Sequence, residues 1–271
     1  MPYFESVASD IGPPDEQEPN SGNGKARLGG LKFPSALQPS IFTPQYVFEV
    51  PDGRTQVGDT TIPPFRAIAY LTIDTGGPNL EYATGWFLSP SVVVTAAHAL
   101  TFGDGSGATA LARSVRVTPG WNGSGPPPFG VYDTTKVVVS SRWPGDPTAD
   151  FGAVQLAEPV GNTVGWFGFG VFTDAQFGTS SFNAVGYPTV VNNKDAKGTM
   201  WGESGPVTPT PSQVLYRMGV SNGQSGGPLY ALINGNAWVG GIISGGDSSI
   251  NQNLAVRITQ AVADELKSWR T

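Results

Sequence analysis

The chain contains 271 residues, of which 21 are acidic and 15 are basic, and its formal net charge is −6. This acidic balance excludes the basic footprint that nucleic-acid binding needs, and it disfavours contact with anionic membrane surfaces. The absence of cysteine excludes disulfide bonds, zinc–thiolate sites and a cysteine nucleophile.

The start of the chain, MPYFESVASDIGPP, has neither the basic segment nor the apolar stretch of a signal peptide. A signal peptide is therefore absent from this chain, although one could have been removed earlier. No apolar run reaches the roughly 20 residues that a transmembrane helix needs, so we expect no membrane partner.

Residues 1–46 differ in composition from the rest of the chain. The first twenty residues include five acidic side chains and no lysine or arginine, and Pro13, Pro14 and Pro19 lie close together among them. This composition is typical of an extended, weakly structured arm. We predict that residues 1–46 are a prosegment that is cut off, the alternative being a simple tail that packs on the domain. Residues 47–271 would then form the folded domain.

Short runs of β-branched and aromatic residues lie between turns rich in the 37 glycines and 24 prolines, and they predict strands. Their short length and regular spacing indicate an all-β fold made of barrels or sandwiches. The predicted strands are Ala67–Ile73, Gly85–Leu88, Ser91–Thr95, Ser114–Val117, Thr135–Val139, Gly152–Leu156, Ser181–Val185, Val214–Met218, Trp238–Ile243 and Asn253–Arg257.

Only the C-terminus has a clear helical pattern. Ile258, Val262, Leu266 and Trp269 recur at the spacing of one helix face, and Thr259 is available as the N-cap. We therefore predict a helix over residues 258–269.

His98 is the only histidine in the chain, and it follows the predicted strand Ser91–Thr95 after two alanines. A strand followed by small residues presents an imidazole at the rim of a barrel without blocking access to it. A single histidine is nevertheless more often structural than catalytic, so this observation needs support from other residues.

Ser225 lies in a glycine-rich stretch, Asn222–Pro228. A serine hydroxyl is a weak nucleophile unless a base accepts its proton, and the oxyanion that forms needs backbone N–H donors. A positive φ at Gly223 would let the N–H groups of Gly223 and Ser225 converge on one point. The alternative is an ordinary glycine-rich hairpin turn.

Asp150 directly precedes the apolar strand Gly152–Leu156, so we expect its carboxylate to be partly buried. A buried carboxylate needs a partner, and the N–H of a neutral histidine would serve and would also fix the tautomer of the ring. The alternative is an aspartate that caps a turn at the start of a strand.

Together the three residues are far more specific than any one of them. They occur in the order His98, Asp150, Ser225, separated by 52 and 75 residues, and one of the unrelated triad folds has this order. Each gap contains the strands needed to build one barrel and reach the next. We therefore predict a Ser–His–Asp catalytic triad.

Three motifs resemble the signatures of chymotrypsin-like serine proteases: TAAH at Thr95–His98, DFGA at Asp150–Ala153 and GQSGGP at Gly223–Pro228. Within that group the chain is most similar to the bacterial glutamyl endopeptidases, from about residue 47 to the end. The further stretches that carry this similarity are Arg54-Thr55, Pro64–Ile68, Glu158–Gly165 and Gly186–Pro188.

The resemblance implies an all-β fold of two six-stranded antiparallel β-barrels with a C-terminal α-helix. The first barrel would cover about 60–160 and the second about 165–257, with the active site in the cleft between them. His98 would be the general base, Asp150 would orient it and Ser225 would be the nucleophile, while the N–H groups of Gly223 and Ser225 would form the oxyanion hole.

The same resemblance implies a secreted, extracellular serine endopeptidase that acts on protein or peptide substrates. We expect a monomer that needs no cofactor and has no catalytic metal, with a structural calcium ion left open. Two rival hypotheses are a non-catalytic homologue that binds a partner and a secreted β-sandwich adhesin in which the motifs are coincidental.

The predicted substrate pocket departs from the glutamyl endopeptidases, which read glutamate with a pocket histidine and a hydroxyl residue. Ile243 stands at the position of that histidine, and Val220 stands five positions before the nucleophile where the hydroxyl is expected. Both changes remove hydrogen-bond donors. We therefore predict cleavage after apolar or small residues. Ser244 and Gly245 complete the predicted pocket, and donors there could instead preserve glutamate specificity.

A second departure concerns activation. Trypsin-type zymogens become active when a new N-terminus pairs with an aspartate just before the nucleophile, and this chain has Gln224 there. A neutral amide cannot form that ion pair, so we predict that activation by this route does not occur.

Overall fold

The computed structural model describes residues 52–103, 109–123, 125–192 and 194–270, so the predicted arm lies outside the described residues. Within them the helices are α1 (Ala97–Leu100), α2 (Gly161–Val164), α3 (Asp174–Thr179) and α4 (Gln260–Trp269), with 3-10 turns at Phe65–Ala67 and Pro147–Ala149. The strands are β1 (Thr55–Gln56), β2 (Ile68–Asp74), β3 (Glu81–Phe87), β4 (Val92–Thr95), β5 (Thr101–Gly103), β6 (Thr109–Leu111), β7 (Ser114–Pro119), β8 (Tyr132–Thr134), β9 (Val137–Val139), β10 (Gly152–Gln155), β11 (Gly168–Phe169), β12 (Phe182–Gly186), β13 (Val190–Val191), β14 (Lys194–Asp195), β15 (Trp201–Gly205), β16 (Val207–Pro209), β17 (Gln213–Tyr216), β18 (Pro228–Ile233), β19 (Asn236–Asp247) and β20 (Gln252–Arg257).

Most of these strands form two barrel-like sheets. The first has the order β8-β7-β2-β3-β4-β10-β9, and the second has the order β1-β15-β12-β18-β19-β20-β17-β16 with β11 added beside β19. All neighbours within them are antiparallel except β11 and β19. The predicted all-β class with two barrels is confirmed. The sheets contain seven and nine strands in place of six each, because short strands such as β1 and β11 join the second sheet.

Buried apolar side chains fill the interior of both sheets. The larger cluster includes Trp86 and Leu71, which are inaccessible to solvent, and it also includes the buried residues of α4. A smaller cluster lies inside the second sheet around Phe172, Phe177 and Phe182, whose ring centroids are 5.2 to 5.4 Å apart. The short β-branched runs of the sequence are therefore strands because their side chains meet these interiors.

The C-terminal helix α4 begins at Gln260, and the Thr259 side chain accepts a hydrogen bond from the backbone N–H of Val262. Val262, Leu266 and Trp269 are buried on one face of the helix, as the apolar spacing predicts. The helix and its cap are confirmed. Among the described residues, no helix is both long and apolar enough to cross a bilayer.

Candidate active site

The first sheet brings His98 and Asp150 together through one pair of strands. Strand β4 ends at Thr95 and β10 begins at Gly152, and these two residues face each other in an antiparallel pair. The chain that leaves β4 and the chain that enters β10 therefore lie at the same end of the sheet. His98 is three residues beyond that pair, in the short helix α1, and Asp150 is two residues before it.

Asp150 is fully buried and its two carboxylate oxygens are bonded to the same histidine. Oδ1 accepts from the backbone N–H of His98 at 2.8 Å, and Oδ2 is 2.7 Å from His98 Nδ1. A carboxylate only accepts hydrogen bonds, so Nδ1 carries the ring proton and Nε2 is left as an acceptor. Burial and two charge-assisted bonds fix the ring in one orientation.

Ser225 comes from the second sheet, in the loop over residues 217–227 that joins β17 to β18. We call this segment the nucleophile loop. Its Ser225 Oγ is 2.9 Å from His98 Nε2, which is the ring nitrogen that can accept a proton. The structure therefore brings together all three residues that the motifs singled out, and Ser225 keeps 5% of its surface accessible.

The nucleophile loop is held against the first sheet through Thr84, which the sequence did not single out. Its backbone N–H donates to the Ser225 carbonyl at 2.9 Å, and its hydroxyl donates to the Gly223 carbonyl at 2.7 Å. Thr84 is fully buried in β3. No sequence pattern distinguishes this threonine from other strand threonines, because its function depends on a contact between residues 139 positions apart.

Gly223 has a φ of +93°, as the predicted turn requires. A Cβ atom at this position would clash with the carbonyl oxygen of Tyr187, so a larger residue would need both a strained backbone and a displaced neighbour. The expectation of a positive φ at Gly223 is confirmed.

Ser244 was predicted to line the substrate pocket, but its hydroxyl lies elsewhere. It donates to Asp150 Oδ2 at 2.5 Å and is 4% exposed. The reason is a bulge in β19: the pairing with β20 shifts between Ile243 and Gly245, which re-aims the intervening side chain toward the first sheet. The side chain therefore supports the carboxylate. Substrate contact by Ser244 stays a prediction.

The other predicted pocket residues are buried at the base of the nucleophile loop. Val220 and Ile243 have no accessible surface and belong to the same apolar cluster inside the second sheet. Gly245 is buried in β19 opposite Leu254. Their environment is apolar, as the sequence indicates.

No cluster of three or more histidine, aspartate or glutamate residues that could hold a metal ion occurs in the described part of the chain.

Comparisons with known proteins show the family to which the chain belongs. The family model described as Trypsin matches residues 58–269. The chain is 35% identical over 230 residues to a glutamyl endopeptidase of Bacillus licheniformis, covering 81% of this chain and 67% of that protein. It is 30% identical to a Bacillus subtilis protein named extracellular metalloprotease, covering 80% of this chain and 68% of that one. A solved structure of Glu endopeptidase is 26% identical, with a TM-score of 0.67, and the match covers 80% of this chain and 95% of that structure.

Proposed function

Because this chain belongs to the trypsin family of serine endopeptidases, we propose that His98, Asp150 and Ser225 are its catalytic triad. The observation that carries the proposal is the unbroken series of hydrogen bonds from Asp150 through His98 to Ser225 Oγ. A serine of the trypsin family needs such a base within hydrogen-bond reach to become a nucleophile.

In the proposed reaction Ser225 Oγ attacks the carbonyl carbon of the scissile peptide bond while His98 Nε2 accepts its proton. The histidine then gives this proton to the leaving amine, which departs and leaves an acyl-enzyme on Ser225. A water molecule, deprotonated by the same nitrogen, hydrolyses the ester. Asp150 stays ionised and stabilises the imidazolium that forms twice in the cycle.

We assign the oxyanion hole to the backbone N–H groups of Gly223 and Ser225. The positive φ of Gly223 supports this assignment, because a left-handed residue within a turn lets nearby backbone N–H groups converge on one point. Donors fixed in this way stabilise charge that develops only in the transition state, and losing one of them costs about 10²- to 10³-fold in kcat.

The rival hypothesis is a homologue that keeps the fold and binds a partner without catalysis. Labelling with a fluorophosphonate separates the two, because the reagent reacts only with an activated serine. We expect folded protein to be labelled at Ser225, as located by peptide mass spectrometry, and heat-denatured protein to remain unlabelled. Folded protein that resists labelling would favour the binding hypothesis.

We expect the activity to depend on pH through a single ionisation on the acid side. Neutral His98 accepts the proton of Ser225 and protonated His98 cannot, so kcat/KM should fall as pH decreases and rise to a plateau as pH increases. This chain has only one histidine, so no second imidazole contributes to the profile. The measurement is kcat/KM against pH with a neutral peptide substrate. A flat profile from about pH 5 to 9 would exclude His98 as the base.

We further propose that the protein is secreted as a zymogen, with residues 1–46 as its prosegment and residues 47–271 as the protease domain. The acidic composition of the arm and the extracellular name of one relative support this. We expect the active enzyme to begin between Tyr46 and Val50, as N-terminal sequencing would reveal. Full activity in a protein that still begins at Met1 would exclude obligatory removal.

The proposed specificity is for apolar or small residues before the scissile bond, with glutamate as the alternative that the relatives' names suggest. The proposal is supported by the sequence, in which Ile243 and Val220 stand at the two positions where the glutamyl endopeptidases carry donors. The active enzyme is expected to act on proteins and peptides as a monomer.

A further inference from the structure

A buried cation lies directly beneath the nucleophile loop. Arg54 precedes the short strand β1, whose pairing with β15 holds the segment at the edge of the second sheet. The Arg54 side chain is 2% exposed, so it is removed from solvent almost completely. Burying a guanidinium costs free energy unless every one of its N–H groups has an acceptor.

All five N–H groups of Arg54 have acceptors, and two of these acceptors belong to the nucleophile loop. Nη1 donates to Ser221 Oγ at 2.8 Å and to Gln224 Oε1 at 2.6 Å. Nη2 donates to the Val190 carbonyl at 3.2 Å and to Asp52, and Nε donates to Asp52 as well. The guanidinium therefore bridges the segment that enters β1 and the loop that carries the nucleophile.

Asp52 supplies the countercharge that allows this burial. Burial raises the pKa of Asp52, but the hydrogen bonds and the positive charge of Arg54 outweigh that effect and hold the pKa below its usual value. The pair is therefore ionised at neutral pH, and its net charge is zero. Nη1 is left to bind the loop, because Nε and Nη2 are the atoms that engage the carboxylate.

Of the two loop residues that Arg54 binds, one lies just before the proposed oxyanion hole and the other lies within it. Ser221 precedes Gly223 by two positions, and Gln224 lies between Gly223 and Ser225. Ser221 and Gln224 are also bonded to each other: Gln224 N–H donates to the Ser221 carbonyl, and Ser221 N–H donates to Gln224 Oε1. Arg54 thus closes a small ring of hydrogen bonds around the turn at Gly223.

The Gln224 side chain has few other anchors. It is fully buried, and within the described residues its Nε2 has no hydrogen-bond partner. Its position therefore depends on Oε1, which is held by Arg54 and by the N–H of Ser221. Because Gln224 shares peptide bonds with both Gly223 and Ser225, rotation of its backbone would turn the two N–H groups apart.

We propose that Arg54 is a positioning residue that holds the nucleophile loop in the conformation in which the N–H groups of Gly223 and Ser225 converge. The inference rests on the proposed triad and extends it to a residue outside the cleft. The positive charge next to the oxyanion hole is then the guanidinium of Arg54, a side chain within the chain. It takes the neutral Gln224 as its partner and does not require a newly formed N-terminus.

The test compares Arg54→Ala and Arg54→Lys with wild type, and Arg116→Ala is the matched control, since Arg116 forms an exposed pair with Asp133 far from these contacts. We expect Arg54→Ala to lower kcat about 10²-fold, the size of effect seen when an oxyanion-hole donor is lost, with KM within about threefold of wild type. Arg54→Lys, which keeps the charge but not the fork of donors, should lose less. Arg116→Ala should match wild type.

Two further readouts distinguish positioning from a general structural role. The acid limb of the pH profile should not move in Arg54→Ala, because His98 and Asp150 keep their contacts. Added ethylguanidinium at millimolar concentration should restore part of kcat in Arg54→Ala and should not affect wild type. Unchanged kcat in folded Arg54→Ala would overturn the proposal, as would a loss of kcat that guanidinium does not rescue and that accompanies a shifted pH profile.

If Arg54→Ala does not fold, two other variants test the proposal. They are Arg54→Lys and Ser221→Ala, and the second removes one of the two loop acceptors. A fall in kcat of about fivefold or more with constant KM in both would support the proposal, and wild-type kcat in both would overturn it. Failure of the proposed triad would appear separately, as an inactive wild-type protein that fluorophosphonate does not label at Ser225.

Discussion

Replacement of Ser225 by alanine is expected to lower kcat/KM by about 10⁴-fold or more. The change removes the atom that forms the acyl-enzyme, so no covalent route remains, while the oxyanion donors and the substrate contacts persist and leave a small residual rate. Ser225 Oγ makes its hydrogen bond to His98 Nε2, and Ser225 belongs to neither apolar core, so the loss of its hydroxyl opens no core cavity. The fold should therefore be unaffected.

The measurement is kcat/KM on a chromogenic peptide, with the thermal unfolding midpoint as the check on folding. Ser141→Ala is a matched control, because Ser141 is an exposed serine on the loop that follows β9. We expect it to retain wild-type activity. If Ser225→Ala kept a tenth of the wild-type rate in a preparation free of other proteases, Ser225 would not be the nucleophile.

The fold was predictable where a single strand carries its own signal. Ser91–Thr95 is predicted as a strand from its β-branched residues, and the structure has a strand from Val92 to Thr95 that is buried on both faces. The pairing of these strands was not predictable in the same way, since it depends on contacts between residues distant in sequence. Strand β1 illustrates this: two exposed residues, Thr55 and Gln56, join the second sheet only because β15 offers them an edge.

The residues of the candidate site also divide into those that a local motif identifies and those that only the folded chain brings into contact. His98, Asp150 and Ser225 each lie in a local motif, so the sequence identified them before their distances were known. Ser244 and Arg54 belong to no such motif. Arg54-Thr55 is only one of several stretches that carry the family resemblance, and nothing in the sequence relates Arg54 to Gln224, 170 residues away. A buried charge that bridges two distant segments is visible only once the chain has folded.

Pocket residues raise a harder problem, because their function depends on which atoms reach the substrate. The sequence placed Ser244 among possible donors for a substrate carboxylate, but the bulge in β19 commits its hydroxyl to Asp150. Arg54 is also unavailable, since all five of its N–H groups are engaged. Two side-chain donors that could have replaced the missing histidine are therefore already occupied.

Negative charge near the pocket residues adds to this effect. Glu203 Oε2 accepts from the backbone N–H of Gly219 at 2.7 Å, and the Asp52 carboxylate also lies against Gly219. Gly219 is the residue directly before Val220. A glutamate side chain brought to Gly219 would meet the Glu203 carboxylate and an Asp52 carboxylate whose charge Arg54 already balances. It would lose its hydration without gaining a partner.

Peptides with leucine, phenylalanine, alanine or valine before the scissile bond are therefore expected to be cleaved faster than peptides with glutamate. A charge-assisted hydrogen bond to a buried carboxylate contributes about 1.5–3 kcal/mol, and Ile243 and Val220 remove two such donors. Each ~1.4 kcal/mol changes a rate ratio tenfold, so glutamate should lose a factor of about 10² to 10⁴ relative to an enzyme that keeps them.

The assay is kcat/KM on a set of chromogenic peptides that differ only in the residue before the scissile bond. Val220→Thr is the matched variant, because it puts a hydroxyl at the position where the glutamyl endopeptidases carry one. The thermal unfolding midpoint is measured as well, since the hydroxyl enters a buried apolar cluster. We expect the variant to raise the ratio of glutamate to leucine cleavage several-fold while Ser225 labelling stays unchanged. A clear preference of the wild-type enzyme for glutamate would contradict the prediction. It would mean that backbone N–H groups, such as that of Gly245, or the amine of a newly formed N-terminus hold the carboxylate in place of the histidine.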